Sequence, residues 1–360
     1  MNETKNKISD DLLKGKLGFD LYGRYAIIRN IIDQNRKDGE KFRVLDVGGR
    51  GNMLSMFLPS DDVFYMDPFV ESEDKNFIKG DGCAIPLGDQ SFDWVTSADV
   101  FEHIPKENRE DFLRENIRVA KDGVILAAPF FSKEVARAEV NANESYKILS
   151  GGQDYIWLKE HIENGLPEEK LVEEFISEAG YEFQKLHNNR LFLWELLIGL
   201  VLNVTEINYK ALKDDYEKFN LFYNTDVFPF DSEEMSYRKI YFIKKQSGLK
   251  DIEIEKKVID DILFLDVIKK AMDMFAKLDV MNKGIILEKN QEIQLVKQEI
   301  LEKNQECQLV KQEILEKNQE CQLVKQEIMD KDQELEKMKE SKFWKLRNCY
   351  LTLKAKCKIK

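Results

Sequence analysis

Residues 44–53, VLDVGGRGNM, decide how the chain is read. A short β-favouring run reaches Asp46 and Val47, and glycines come next at 48, 49 and 51. Glycines clustered behind a strand mark a turn whose backbone must take conformations, or approaches, that a side chain forbids. In a doubly wound α/β fold such a turn cradles a nucleotide-like cofactor at the end of the first strand. The same letters also fit a loose turn, so the reading rests on the residues that stand at fixed distances downstream.

Three downstream stretches carry it. VFYMDP ends a second β-rich run at Asp67, about twenty residues past the turn, where an acidic side chain accepts both hydroxyls of a ribose. GDGCAIPLGDQSFDWV places Asp81 at a turn, where it can accept a hydrogen bond from an adenine amino group, and then enters a further strand. TSADVFEHIP comes after that strand and sets Asp99 and His103 beside the same crevice. Asp46 itself, at the strand end, orients the loop or accepts hydrogen bonds from it.

Outward from these motifs, strands are expected at 41–47, 63–67, 92–97 and 122–129, with weaker candidates at 76–79, 181–187 and 237–245. Helical patterns cover 106–120 and 167–180, the second ending at Gly180. Seven strands with helices between them, the last two antiparallel, make a doubly wound α/β sheet. LGFDLYGRYAIIRNII, residues 17–32, reads as a helix capping the cleft; Tyr22, Arg24 and Tyr25 lie close enough to touch a cofactor carboxylate, although tyrosines at helical spacing more often serve the core. LFLWELLIGLVLNV, residues 191–204, opens a helical insertion that continues through residue 224. Its apolar face either packs in the domain or meets a membrane or lipid-linked acceptor.

The order VLDVGGRG, YMD, GDGCAIPLGDQSFDWV, SADVFEHI resembles class I S-adenosylmethionine-dependent methyltransferases, nearest the methyltransferase-11-like group with a D-x-x-x-L-P-F-x-D-x-S-F-D motif. The resemblance implies a Rossmann-like sheet and S-adenosylmethionine as cofactor. It implies Asp46, Gly48, Gly49 and Gly51 around the methionine moiety, Asp67 on the ribose, Asp81 near the adenine and Asp99 on the cofactor side of the cleft. The family loop D-x-G-x-G-x-G is altered here: Arg50 and Asn52 stand where the second and third glycines fall. An NAD-type domain is the competing reading of the glycines, and the IPLGDQSFDWV block favours the methyltransferase.

For a hydroxyl acceptor a base must take the proton as the new bond forms. His103, His161, His187, Asp99, Glu139 and Glu160 are the candidates, with His161 and His103 foremost. His161 lies in YIWLKEHIENGLPEE, beyond a polar stretch too long for a simple αβ connection, as acceptor-binding insertions are. APFFSKEVARAE and LKEHIENGLP resemble methyltransferases encoded with bacterial surface-polysaccharide assembly, which implies a sugar or phosphate acceptor; a small-molecule acceptor stays open. No asparagine-proline-proline-tyrosine motif stands after the fourth strand, which argues against nucleobase methylation. The bland readings are a pocket-shaping His103, a loop-bridging His161 and a structural His187.

Beyond residue 248 the character changes. Residues 249–285 read as a helical connector and 286–340 as a coiled coil of 14-residue repeats, ILEKNQEIQLVKQE and its copies. Ile286, Ile293, Ile300, Cys307, Ile314, Cys321, Ile328 and Leu335 recur every seventh residue on one seam. The alternating Lys and Val from Lys289 to Met338 weaken the core while fixing register. Self-association through 286–340 is therefore expected; a lone solvated helix held by charge pairs is the alternative. Residues 341–360 hold seven Lys/Arg and no acid around Phe343, Trp344, Leu346, Tyr350 and Leu353, a basic amphipathic tail suited to an anionic membrane surface or to ending a coiled coil solubly.

A formal net charge of −12 excludes broad nucleic-acid binding, which needs a basic face. Five cysteines without CxxC spacing and three histidines give no disulfide framework and no expected metal site. The amino terminus lacks the apolar core of a secretory signal, so the expected setting is the cytoplasm, at most peripheral to the inner membrane face. The whole is read as a methyltransferase domain, 1–248, on a self-associating stalk. Its rival is a non-catalytic scaffold of the same fold.

Overall fold

The computed structural model describes residues 10–49, 51–202, 209–253 and 259–357. They form two compact units, Met1–Val280 and Met281–Lys360. In the first, helices α1 (Asp10–Lys16) and α2 (Phe19–Gln34) precede β1 (Arg43–Val47), the short α3 (Leu54–Phe57), β2 (Asp62–Asp67), β3 (Phe77–Lys79) and β4 (Phe92–Ala98). Then come α4 (Arg109–Val119), β5 (Ala120–Pro129), α5 (Lys133–Ser150), α6 (Ile156–Asn164), α7 (Glu169–Glu178), β6 (Glu182–Arg190), α8 (Leu191–Leu202), α9 (Tyr209–Phe222) and β7 (Ser236–Lys244).

The strands pair in the order β3-β2-β1-β4-β5-β7-β6, with β7 antiparallel to both its neighbours and the rest parallel. Alternation along the strands builds two cores. Val44, Trp94, Ile125, Ala127, Ile240 and Phe242 face one side with Ile28, Ile31 and Ile32 of α2. Leu45, Val47, Val95, Val124, Leu126, Tyr241 and Ile243 face the other with Phe112, Leu113 and Ile117 of α4 and Val172 and Ile176 of α7. Both faces are thus covered, as a mostly parallel sheet requires. All seven expected strands form, and the strand order reverses between the parallel β1 and β4, the crevice where such sheets bind ligands.

Two stretches differ from the expectation. The polar run after β5 is a regular helix, α5: Ser132 caps it by accepting from the Val135 amide at 3.1 Å, and Gly151, at φ 76°, closes it in the left-handed conformation. The connector's helix begins later than residue 251. Ile252 is held instead by the side chain of Gln184, whose amide brackets its backbone at 2.6 and 3.0 Å. α10 runs Asp261–Glu340, its start capped by Asp260, which accepts from the Leu263 amide at 2.7 Å. Val267, Ala271, Met274 and Leu278 bury its opening turns. The α8 segment packs within the unit: Leu193, Trp194, Leu197 and Leu200 are buried, and Trp194 stacks on Tyr237 with ring centroids 3.6 Å apart. Residues 203–204, assigned to that helix from sequence, lie outside the described residues.

In the second unit α10 continues to Glu340, and α11 spans Lys342–Cys357 behind Ser341, whose hydroxyl accepts from the Trp344 amide at 3.3 Å. Among the described residues no helix is long and apolar enough to cross a membrane.

Candidate active site

The turn after β1 shows why its glycines are there. Gly48 sits at φ 81°, and a Cβ on it would fall 2.2 Å from Val100 Cγ2, so both conformation and close approach demand glycine. A Cβ on Gly49 would come within 2.5 Å of Asp46 Oδ2. Gly51, at φ 72°, has nothing within 4 Å of where its Cβ would stand. Asn52 takes φ 52°, the left-handed conformation that asparagine tolerates better than most residues, so it does there what a glycine does. Arg50, the other departure from the family loop, lies outside the described residues.

Asp46 is buried at the end of β1. Its Oδ1 accepts from Thr96 Oγ1 at 3.1 Å, while Oδ2 has no partner among the described residues. Burial pushes its carboxyl up to about 7, against the smaller pull of the Thr96 hydrogen bond and Arg24. Asp67 closes β2 and uses Oδ1 to hold the amides of Phe69 and Val70 at 2.7 and 3.0 Å, fixing the loop beyond it. Asp81, exposed, shapes its turn through the Cys83 amide at 2.8 Å.

Asp99 stands just after β4 at φ 53°, and its carboxylate is taken by arginines. Arg238 donates to Oδ1 and Oδ2 at 2.6 and 2.5 Å, and Arg24 approaches Oδ2 at 2.8 Å. Arg238 also reaches Asn188, Asn189 and Asp20, at 3.0, 2.6 and 3.0 Å, from a fully buried place in β7. Tyr22 and Tyr25 are buried against Phe57 and serve the core. His187 lies in β6 beside Ser236 and Lys239, its pKa lowered by burial and by the lysine.

The two foremost histidines meet. His103 ends the 3-10 turn Phe101–His103 after β4, and His161 sits on α6. Their Nε2 atoms stand 3.4 Å apart. Glu139, from α5, holds His161 Nδ1 at 2.8 Å and also accepts from the Tyr237 hydroxyl at 3.0 Å. Glu160 holds His103 Nδ1 at 2.9 Å. Burial disfavours the imidazolium of His161, but its hydrogen bond to Glu139 and the nearby Glu102 and Glu139 charges outweigh it and raise the pKa. Glu102, adjacent in sequence to His103 and 1% exposed, lies with Oε1 3.9 Å from His161 Nε2. Burial, with Asp99 close by, pushes its carboxyl up to about 8. Sequence reasoning names Glu139 and Glu160 but misses Glu102, Asp20 and Arg238. Arg238 carries no distinguishing signal in sequence, since Lys239 stands beside it in the same strand.

A methyltransferase domain family model matches residues 60–128, the run from β2 through most of β5. No curated protein matches the chain. Among solved structures, the chain is similar to a SAM-dependent methyltransferase from Thermotoga maritima (14% identity, 63% of this chain and 93% of that one, TM-score 0.38). It is similar also to a SAM-dependent methyltransferase from Archaeoglobus fulgidus (16%, 61% and 92%, TM-score 0.36). A third is the Haemonchus contortus phosphoethanolamine N-methyltransferase 2, bound to phosphomonomethylethanolamine and S-adenosylhomocysteine (16%, 60% and 52%, TM-score 0.35). The matched run lies within a seven-stranded sheet whose strand order is that of the class I methyltransferase fold, a fold that implies S-adenosylmethionine as cofactor. The site fits that group: a glycine turn at the switch point leaves open space where a Gly51 Cβ would stand, and the buried Asp46 Oδ2 has no partner among the described residues.

Proposed function

We propose that the protein transfers the methyl group of S-adenosylmethionine to a hydroxyl or phosphate oxygen of a bacterial cell-surface glycan. The observation that carries this reading is a juxtaposition. Gly48 of the cofactor turn presses on Val100, three residues before His103, so the cradle and the imidazole pair share one wall of the crevice. Asp46, Gly48, Gly49 and Gly51 would surround the methionine end, Asp67 the ribose and Asp81 the adenine. Asp99, tied to Arg238 and Arg24, would act by fixing the wall between them.

Methyl transfer from a sulfonium is an in-line displacement, so holding acceptor oxygen, methyl carbon and sulfur in line supplies much of the rate. S-adenosylmethionine brings the reactive methyl. His161 and His103 bind and activate the acceptor oxygen, their rings oriented by Glu139 and Glu160. The stalk is read as self-associating: Ile293, Ile300, Ile314, Ile328 and Leu335 all lie exposed at heptad spacing on α10. On α11, Phe343, Leu346, Tyr350 and Leu353 are likewise exposed among lysines, and several weak tails on one oligomer would bind an anionic surface with combined avidity.

The test is calorimetric titration of S-adenosylmethionine into the full chain, and then transfer of labelled methyl to surface-glycan extracts. Cofactor binding is expected, weakened about tenfold or more in Asp67→Ala by loss of charged hydrogen bonds. His161→Ala should keep cofactor binding and lose turnover. A folded protein that takes up no cofactor would leave a scaffold of methyltransferase fold. Activity on small metabolites that survives removal of residues 286–360 would exclude the glycan role.

A further inference from the structure

We propose that Glu102, His103 and His161 bind a divalent first-row metal ion, zinc by geometry, with a coordination position left for the acceptor oxygen. A carboxylate oxygen of Glu102 and one ring nitrogen from each histidine all lie within 4.8 Å of one another.

The surroundings of the two rings bear on where their lone pairs point. A carboxylate accepts, so Glu139 at His161 Nδ1 places that ring's proton on Nδ1, while Glu160 stands 2.9 Å from His103 Nδ1 as an ion-pair partner. His161 Nε2 then carries a lone pair, and it stands 3.4 Å from His103 Nε2. A cation between the two nitrogens takes a lone pair from each, with His103 giving up any Nε2 proton to bind it. A histidine whose far nitrogen is held by a carboxylate is the arrangement that orients imidazole towards a metal.

The distances agree. Two nitrogens each about 2.0–2.1 Å from one tetrahedral ion stand about 3.4 Å apart. Glu102 Oε1, at 3.9 Å from His161 Nε2 and within 4.8 Å of a ring nitrogen of His103, is close enough to close in as a third vertex. Two imidazoles and one carboxylate make a donor set suited to zinc, iron or manganese more than to magnesium. Three protein ligands with an open fourth position is also the arrangement of catalytic rather than structural zinc.

Charge favours the same occupant. Glu102 and Glu139 are both buried beside the imidazole of His161, and Glu102 Oε2 has no hydrogen-bond partner among the described residues. Buried charges persist when paired or bound to metal. One proton shared between the rings supplies a single positive charge; a divalent ion supplies two and gives Glu102 a partner.

The catalytic use of the ion rests on the methyltransferase reading above; its binding does not. An acceptor hydroxyl on the metal loses its proton to Glu102 Oε2, the oxygen the metal does not use. The new O–C bond forms as the C–S bond breaks, and that electron pair stays on sulfur, leaving neutral S-adenosylhomocysteine. Lewis-acid polarisation lowers the acceptor's pKa where a free sugar hydroxyl is a poor nucleophile.

The experiment is zinc binding by the full-length, chelator-stripped protein, read by calorimetry and by metal content after dialysis, with cobalt absorption as a ligand probe. One equivalent per chain is expected, with cobalt bands that lack thiolate charge transfer. His103→Gln, at a partly exposed position that should not disturb folding, is expected to weaken binding about a hundredfold. Glu139→Gln, whose amide oxygen can still accept from His161 Nδ1 and the Tyr237 hydroxyl but carries no charge, should weaken it about tenfold. Asp67→Ala should leave zinc untouched while weakening cofactor binding, which separates this site from the cofactor reading. Zinc binding unchanged in both His103→Gln and His161→Ala, or carried by thiolates, overturns the proposal. So does no stoichiometric zinc in a protein that binds S-adenosylmethionine, leaving a proton shared between the rings. Tight zinc binding with no methyl transfer to any acceptor would sink the enzymatic reading and leave the metal site standing.

Discussion

Asp46 shows how one carboxyl can serve a site and tax the fold. It is buried under Gly49 with a single hydroxyl donor, and burial holds its pKa at about 7 against an ordinary value of 3.8. A carboxyl raised on folding binds its proton more tightly in the native state, so its contribution is fully present below about pH 4 and is lost as pH rises through 7. Above that the native state must bury a charge. Chemical denaturation from pH 5 to pH 8 should therefore show stability falling by up to about 3 kcal/mol more in the natural protein than in Asp46→Asn, which has no proton to lose. The variant should be the more stable of the two at pH 8. Parallel curves would mean the carboxyl titrates normally and that a partner satisfies Oδ2.

At the scale of elements, the end of β7 is clamped to α2 and to the turn after β4 by one side chain. Arg238 is fully buried and bridges Asp99 and Asp20, and it also reaches Asn188 and Asn189. Burial would raise the Asp20 pKa, but Arg238 and Arg24 outweigh it and hold the carboxyl well below its usual range. Replacing Arg238 with Met keeps the volume and leaves Asp20 and Asp99 to share Arg24 alone, a loss of about 3–5 kcal/mol in denaturant unfolding. Restoring stability with Asp99→Asn in the same chain would show that unpaired charge, not packing, is the cause. The strands can be found from sequence because β-rich runs alternate or run apolar between glycine, proline and aspartate turns, and the sheet needs little else. Helix α5 is harder to find. Its middle, NANES, is polar and breaks the apolar pattern, and its cap at Ser132 comes after a proline and two phenylalanines that read as strand. The turn after β1 is legible because glycine spacing is local. The Glu102–His103–His161 cluster is legible only in halves, since the contact joins a turn after β4 to a helix 58 residues on, and no local pattern encodes that. Counting three histidines argues against a metal site; the fold places two of them face to face.

At the scale of the whole chain, the repeat region turns on what covers its seam. Isoleucines at 300, 314 and 328 are each 55% exposed on α10, and every second site of the other seam is a lysine, two of which pair with glutamates on their own helix at 3.0–3.1 Å. Those pairs stabilise an isolated helix by only a few tenths of a kcal/mol each. Burying one isoleucine in a partner's seam is worth about 1.5–3 kcal/mol, and the seam repeats it, so association wins over solvation once two chains meet. The lysines then cost stability at alternate layers and restrict which registers pair, while Cys307 and Cys321 leave small layers that Ile300 and Ile314 flank. Sedimentation of the full chain should give a defined oligomer. Ile300→Asp with Ile314→Asp should convert it to monomer, without changing affinity for S-adenosylmethionine in the first unit. If the natural chain sediments as a monomer at concentrations where coiled coils of this length assemble, the helix stands solvated by its own charge pairs. The avidity assigned to the tails then fails with it, because a single basic helix of sixteen residues holds an anionic surface only weakly and reversibly.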